Sequence, residues 1–291
     1  RNNIQRIVLL GKTGAGKSSL ANTMLGDDVF TISHSPVSET SLSYAQPKSI
    51  NGKNVQLIDT HSFFDTCGSE TLLKDEIVRC ITECAPGPHA FLIVLKVEKF
   101  TKQEKDVVSK ICQHFSEEAL KYATVVFTHG DQLQEGVKIE EFVSQNIHLS
   151  DLVKKCGGRC HVVDNKYWKN SGEDDYRSNQ LQVAELLKTL DKMIEANKGS
   201  CYTNEMLQSV KSEIELEEEH IRLSSGNLSQ EEIRIKAKIS VFDRLLIRSA
   251  GIAMGALLGA MLGAAEALAA TVGQLQNVSD KVISCNMLYN K

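Results

Sequence analysis

The sequence predicts an α/β fold, a doubly wound mixed sheet followed by an all-helical C-terminal extension, and three observations carry that prediction. Strand and helix signals alternate through roughly the first two hundred of the 291 residues, the pattern of repeated βαβ units. Three strand signals, Ile7-Val8-Leu9-Leu10, Ala90-Phe91-Leu92-Ile93-Val94-Leu95 and Ala123-Thr124-Val125-Val126-Phe127, are near-continuous apolar runs. Such runs suit parallel strands covered on both faces. From about residue 203 the strand signals stop and charged helical periodicity takes over.

Taken in order, the first strand leads into Gly11-Lys12-Thr13-Gly14-Ala15-Gly16-Lys17-Ser18, and Ser19 to Leu25 begins a helix. Thr31 to Thr40 is polar, contains Pro36 and reads as an irregular loop. Leu42 to Pro47 and Lys53 to Ile58 read as strands joined through Asn51-Gly52, a strong hairpin signal. Glu70 to Cys84 has helical periodicity that Ala85-Pro86-Gly87-Pro88 stops. A helix is expected from Thr101 to Phe115, with Thr101 as N-cap and Glu104 placed for a capping box. Further helices are expected over Ile139 to Asn146 and from about Asn179 to Ala196, with a strand near Cys160 to Val163 between them.

Tyr202 to Leu223 reads as a Glu-rich helix whose run Glu213 to Glu219 is a solvated face. Ser224-Ser225-Gly226-Asn227 breaks it, and Ser229 with Glu232 restarts a helix through a capping-box pattern. That helix carries Arg234, Lys236, Lys238, Arg244 and Arg248. Beyond it, Ser249 to Ala265 holds no charge, and Gly251, Gly255, Gly259 and Gly263 recur at intervals of four. On one helix they would share a face that admits close approach of another helix. Two readings stay open: a membrane anchor over 249–273, short for a span without crossing Glu266, or a small-residue helix packed in water.

Composition excludes less than it permits. Hydrophobic content of 42% with 24% charged residues is ordinary for a soluble globular chain. A net charge of −4, without a basic tract interleaved with aromatics, gives no argument for a nucleic-acid partner. The eight cysteines form no C-x-x-C. Cys156 and Cys160-His161 lack the second ligand pair of a zinc site, so all read as thiols in a reducing compartment. Nothing at the N-terminus reads as a signal peptide, which points to the cytoplasm.

Gly11 to Ser18 fits G-x-x-x-x-G-K-[ST] between a strand and a helix, the context that makes a phosphate loop. Its glycines let successive backbone N–H groups face a polyphosphate at a helix N-terminus. Lys17 suits the β- and γ-phosphates, and the Ser18 hydroxyl suits Mg²⁺, with Ser19 following. Asp59 ends the third strand where an acidic residue completes the Mg²⁺ shell, and Thr40 lies in the loop where a first switch belongs. Thr128-His129-Gly130-Asp131 occupies the place of a guanine-specific [NT]-K-x-D box; Asp131 suits guanine N1–H and the 2-amino group. Asn165-Lys166 is a weaker candidate for the last base loop. The expected ligands are GTP or GDP and Mg²⁺. A P-loop enzyme acting on ATP is the competing nucleotide reading.

With these boxes the chain resembles the GIMAP (immune-associated nucleotide-binding, AIG-type) GTPases, which are related to septins and chloroplast import GTPases. The resemblance rests on Ile7 to Ser19, Asn22-Thr23-Met24-Leu25-Gly26 and Pro36-Val37-Ser38-Glu39-Thr40. It continues in Cys84-Ala85-Pro86-Gly87-Pro88-His89 with the strand after it, Phe127 to Asp131, and Cys156-Gly157-Gly158-Arg159-Cys160. It implies a P-loop G domain over 4–197 that dimerises across its nucleotide face. It also implies a charged helical extension over 203–248, and a hydrophobic tail that in several members anchors to intracellular membranes.

Two departures bear on turnover. The family's Asp-Thr-Pro-Gly reads Asp59-Thr60-His61-Ser62 here, so Ser62 replaces a glycine whose N–H contacts the γ-phosphate and whose freedom lets the peptide reorient. The family's Gly-Arg-Tyr-Thr reads Glu98-Lys99-Phe100-Thr101, which keeps a cation at Lys99 but loses the guanidinium fork. Lys99 and His61 are the weak catalytic candidates. The expectation is a GTP-dependent dimerising switch with slow or partner-assisted hydrolysis, associated with the cytosolic face of a membrane. The alternative is a membrane scaffold that holds GTP as a structural ligand and oligomerises without appreciable turnover.

Overall fold

The computed structural model describes residues 4–26, 47–50, 52–60, 63–64, 70–170, 176–224 and 226–275. In chain order its first half holds β1 (Gln5–Leu10), α1 (Lys17–Leu25), β2 (Lys48–Ile50), β3 (Lys53–Asp59), α2 (Glu70–Cys84), β4 (Ala90–Lys96) and α3 (Lys102–His114). There follow α4 (Glu117–Leu120), β5 (Ala123–Thr128), α5 (Ile139–Ser144), α6 (Ile147–Lys155), β6 (Cys160–Val162) and α7 (Asn179–Ala196). The tail comprises α8 (Glu205–Ser224), α9 (Gln230–Arg248) and α10 (Met254–Leu262). The described residues divide between two compact units, one within 1–67 and 88–202, the other within 68–87 and 203–291.

The first unit is built on a six-stranded sheet in the order β2-β3-β1-β4-β5-β6. Only β2 runs antiparallel, against β3; the other neighbours are parallel. The apolar runs form the central strands, as their composition requires. Ile7, Leu9, Leu92, Val94 and Val126 pack with Leu20 and Met24 of α1 and with Leu186, Leu190 and Met193 of α7. Each fully buried side chain of this size contributes about 1.5–3 kcal/mol. Parallel register matters more for function than for packing. Leu9 pairs with Asp59, Leu10 with Ile93 and Lys96 with Thr128, so the carboxyl ends of β1, β3, β4 and β5 emerge at one edge. That edge is where ligands bind in open α/β sheets.

The Pro86-Gly87-Pro88-His89 segment has a physical role at the opposite ends of the strands. His89 Nδ1 accepts the Arg6 backbone N–H at 3.0 Å, and the His89 backbone N–H donates to the Arg6 carbonyl at 2.8 Å. Burial, with the Arg6 charge beside it, lowers the His89 pKa to about 4, which keeps the ring neutral and able to accept.

The sheet hairpin differs from expectation. Its first strand is Lys48–Ile50, later than the 42–47 stretch, of which only Pro47 lies among the described residues. Gly52, at φ 76°, supplies the turn. The helix expected over 139–146 is α5, and a second helix that was not expected, α6, follows it. α5 stops at Ser144, and Asn146 caps α6 by accepting the N–H groups of His148 (2.9 Å) and Leu149 (3.2 Å). The capping boxes at Thr101 and Ser229 form as expected.

The second unit unites α2 with the C-terminal helices, so residues 68–87 leave the 4–197 G-domain boundary. α2 packs on α8, α9 and α10, burying Leu73, Ile77, Val78 and Ile81. α8 and α9 form an antiparallel pair, and here the run Glu213 to Glu219 is more than a solvated face. Glu213 meets Arg248 at 2.5 Å, and Glu217 meets Arg244 at 2.9 Å. Four residues up one helix thus match four down the other. Lys238 pairs with Glu83 at 2.7 Å, and Arg79 lies 4.8 Å over the Phe242 ring.

The helix expected over 249–273 is interrupted. Ser249 to Ile252 forms turns, α10 runs for nine residues, and Gly263 ends it in the left-handed conformation at φ 88°. A separate helical stretch covers 265–275. Gly251 and Gly263 therefore lie outside α10, and the four glycines share no helical face. α10 spends Leu257, Leu258, Met261 and Leu262 inside its own unit. Among the described residues, no helix is long and apolar enough to cross a membrane.

Candidate nucleotide site

The glycine positions of the Gly11–Ser18 loop are dictated by space and by torsion. A Cβ on Gly11 would sit 2.4 Å from the Val94 carbonyl oxygen, so only glycine lets β1 leave the sheet this close to β4. Gly14 and Gly16 hold φ of 72° and 87°, a region that disfavours a side chain. Gly16 caps α1, so the loop curls onto a helix N-terminus. Lys17 is 7% exposed and its ammonium donates to the Gly11 and Lys12 carbonyls, both at 3.0 Å. It thus spans the loop it serves.

The Ser18 hydroxyl is hydrogen-bonded to Asp59 Oδ2, and Asp59 is 3% exposed. β1–β3 pairing brings these two oxygens together across the loop. They are the chemistry a hard divalent cation takes, and their juxtaposition fits Mg²⁺. Thr60, next in the chain, donates to the Leu9 carbonyl at 2.6 Å and fixes the end of β3. Thr40, His61 and Ser62 lie outside the described residues.

Lys12 is held by two acids. Its ammonium lies 2.8 Å from Glu98 and 2.5 Å from Glu104, and Glu104 also accepts the Thr101 N–H at 3.2 Å. Burial works against both charges, but these bonds outweigh it: the Lys12 pKa rises and the Glu104 pKa falls to about 2. Glu98, in the place of the family's glycine, thereby ties the segment after β4 to the phosphate loop. Lys99 is exposed at that segment, beside a cavity of about 590 Å³ that Lys96, Phe100, His129, Gln132 and Phe142 also line.

The loops after β5 and β6 are bound to the phosphate loop and to each other. The Thr128 hydroxyl donates to the Ala15 carbonyl at 2.7 Å, and His129 follows at φ 59°. Asn165 is placed at the same loop and its helix: its side-chain nitrogen lies 3.3 Å from where a Cβ on Gly16 would stand, and its Oδ1 accepts from the Thr23 hydroxyl of α1 at 2.9 Å. Gly130 N–H donates to the Val163 carbonyl at 3.0 Å and Asp131 N–H to Asp164 Oδ2 at 3.1 Å. Burial and then the hydrogen bond to Asp164 raise the Asp131 pKa. Asp164 goes the other way: burial pushes it up, but bonds from Asp131 and the Tyr167 and Lys166 N–H groups outweigh that.

Sequence reasoning missed Asp164 and Trp168. Asp164 accepts the Lys166 and Tyr167 N–H groups at 2.9 and 2.5 Å, and Asn179 brackets its backbone. An Asp ending a strand signal just before Asn165-Lys166 is an Asx-turn pattern, so that signal was present. Trp168, 4% exposed, lies under Gly130. A Cβ there would meet its ring at 2.5, 2.7 and 2.9 Å. No local pattern announces that contact.

A phosphate loop at the carboxyl edge of a β2-β3-β1-β4-β5-β6 sheet, with an acid closing β3 and paired base loops after β5 and β6, defines a P-loop G domain. The comparisons with known proteins narrow this. The model of the AIG1 family matches residues 5–221, and the chain belongs to that family. Immune-associated nucleotide-binding protein 8 of Arabidopsis thaliana is 34% identical over 239 residues, 79% of this chain and 65% of that protein. GTPase IMAP family member 8 of Mus musculus is 34% identical over 192 residues, 64% of this chain and 27% of that protein. The chain thus spans less than two thirds of either. Among solved structures, Toc33 of Arabidopsis thaliana in complex with Mg²⁺ and GMPPNP is similar in fold. Its TM-score is 0.51 at 19% identity, covering 67% of this chain and 85% of that one.

Proposed function

We propose that this protein is a guanine nucleotide-binding switch that holds GTP or GDP with Mg²⁺, dimerises through its G domain when GTP-loaded, and hydrolyses GTP slowly or with help from its partner. The observation that carries the reading is the convergence on one loop. Ser18 meets Asp59, Thr128 holds Ala15 and Asn165 reaches α1, so the residues assigned to phosphate, metal and base meet at one edge of the sheet. Backbone N–H groups of Gly14 to Ser18 and the Lys17 ammonium would hold the phosphates. Ser18 and Asp59 would hold Mg²⁺, with Thr40 assigned to its other side. When bound, the metal neutralises charge on the β- and γ-phosphates. Asp131 would accept from guanine, beside His129 and Asn165.

The names of the relatives, a GTPase and nucleotide-binding proteins, support the ligand class. So does a Toc33 structure holding GDP and Mg²⁺, and a further Toc33 variant, described as dimerization-deficient, supports dimerisation. Slow turnover is supported by Lys99 standing where the family carries arginine and by Ser62 in the second switch. Membrane association on the cytosolic side is supported by the uncharged stretch 249–265 alone.

Calorimetry with GDP, GTP and ATP tests the ligand. Binding of guanine nucleotides, with loss of binding in Lys17→Ala and a shift toward xanthine nucleotides in Asp131→Asn, is the expected result. A preference for ATP would overturn it. Sizing in GDP and in GMPPNP tests the dimer, and single-turnover phosphate release at high protein concentration tests hydrolysis. Co-sedimentation with anionic vesicles tests the membrane.

A further inference from the structure

The box after β5 carries a histidine where a guanine box usually has lysine, so the nucleotide loses a cation at that position. The structure offers another from a different strand. Lys96 is the last residue of β4, half-buried, in register with Thr128 of the base box. Its ammonium lies 3.9 Å from the point where a Cβ on Gly14 would stand, and no other heavy atom counted there comes within 4 Å. Gly14 is exposed, on the phosphate loop, at φ 72°. Lys12 is neutralised by Glu98 and Glu104, and Lys17 spans the loop carbonyls. Lys96 has no hydrogen bond or ion pair among the described residues. An ammonium at the open rim of a phosphate loop without an acid partner is placed to form a charge-assisted hydrogen bond to an anion.

We propose that Lys96 is a nucleotide-binding residue: its ammonium reaches over Gly14 to the sugar–phosphate part of the bound guanine nucleotide and supplies the lysine that the box after β5 lacks. The assignment rests on the nucleotide-binding reading above. Strand placement makes the position firm, because β4 is paired on both sides, with β1 and β5. Lys99, three residues on, is exposed and does not approach Gly14 within that distance.

The test compares wild type, Lys96→Gln, Lys96→Arg and, as a control, Lys105→Gln at an exposed lysine of α3, for GDP affinity and GDP release at low and moderate salt. A charge-assisted hydrogen bond is worth about ten- to a hundredfold in affinity, so Lys96→Gln should weaken GDP binding by that factor and speed release. Lys96→Arg should recover most of it, and Lys105→Gln should leave GDP affinity within about twofold. The nucleotide-free melting temperature of Lys96→Gln should equal that of wild type, which separates a ligand contact from a structural one. Wild-type GDP affinity in Lys96→Gln, or weakening matched by a lower melting temperature and not recovered by arginine, overturns the assignment. Failure of wild type itself to bind GDP would remove the nucleotide-binding reading and Lys96 with it.

Discussion

Replacing Gly130 by alanine tests how the base loops are held. The new methyl would stand 2.5, 2.7 and 2.9 Å from Cη2, Cζ2 and Cζ3 of Trp168, whereas carbon atoms pack comfortably at about 3.5–4.0 Å. One of the two must move by about an ångström. The ring has little room, since it is 4% exposed and packs edge-on against Tyr176 at 6.4 Å. Tyr176 in turn accepts the Ile139 N–H at 2.9 Å. Overpacking of this kind costs about 1–3 kcal/mol, and at about 2–4 °C per kcal/mol the melting temperature should fall by several degrees. The displaced loop carries Asp131, so GDP affinity should fall as well. Circular-dichroism melts and calorimetry read the two effects. Trp168→Phe shortens the ring on the contact side, so the double variant should lose less than the sum of the singles. A Gly130→Ala protein with wild-type melting and wild-type affinity would refute the packing argument.

The remaining predictions concern charge. Because the folded pKa of Glu104 is about 2, below its ordinary 4.5, its bonds stabilise the fold above pH 4.5 and fade as pH falls toward 2. The melting difference between wild type and Glu104→Gln should therefore be constant near neutrality and shrink in acid; a difference independent of pH would contradict the clasp. His89 is a base whose folded pKa is lowered to about 4, so its contribution is full above pH 6.5 and is lost as pH falls through that range. Between pH 7 and 4.5, wild type should lose stability more steeply than His89→Gln. In the second unit, Arg248→Glu should destabilise, and adding Glu213→Arg should restore part of the loss, with a coupling of about 1 kcal/mol in a double-mutant cycle. No coupling would mean that α8 and α9 are aligned by their apolar faces alone.

Features whose cause is local could be read from the chain. The phosphate loop, the capping boxes at Thr101 and Ser229, and the buried runs of β1, β4 and β5 each follow from neighbouring residue types. α6 was missed, although Asn146 before it is a good N-cap, because the short break at 145–146 reads only as the end of α5. Asp59 and Asp131 stood out in the sequence because one ends the third strand signal and the other follows the fifth in a repeating fold. Trp168 under Gly130, Glu98 on Lys12 and the departure of α2 into the helical unit depend on chain segments far apart in sequence. The tail shows the converse error. A four-residue glycine spacing was taken as one helical face, but Gly263 adopts φ 88° and ends the helix, a choice made by torsion rather than periodicity.

Trp168 is the chain's single tryptophan, and it sits beneath the loop assigned to the base. Its emission therefore comes from one place, with no background from the helical tail. Seating of a guanine above Gly130, exchange of one nucleotide for another, and loosening of the loop by Gly130→Ala would each be read as a change in intrinsic fluorescence. Unlabelled protein and natural nucleotide would suffice to follow loading in real time, and the optical signal belongs to the site itself.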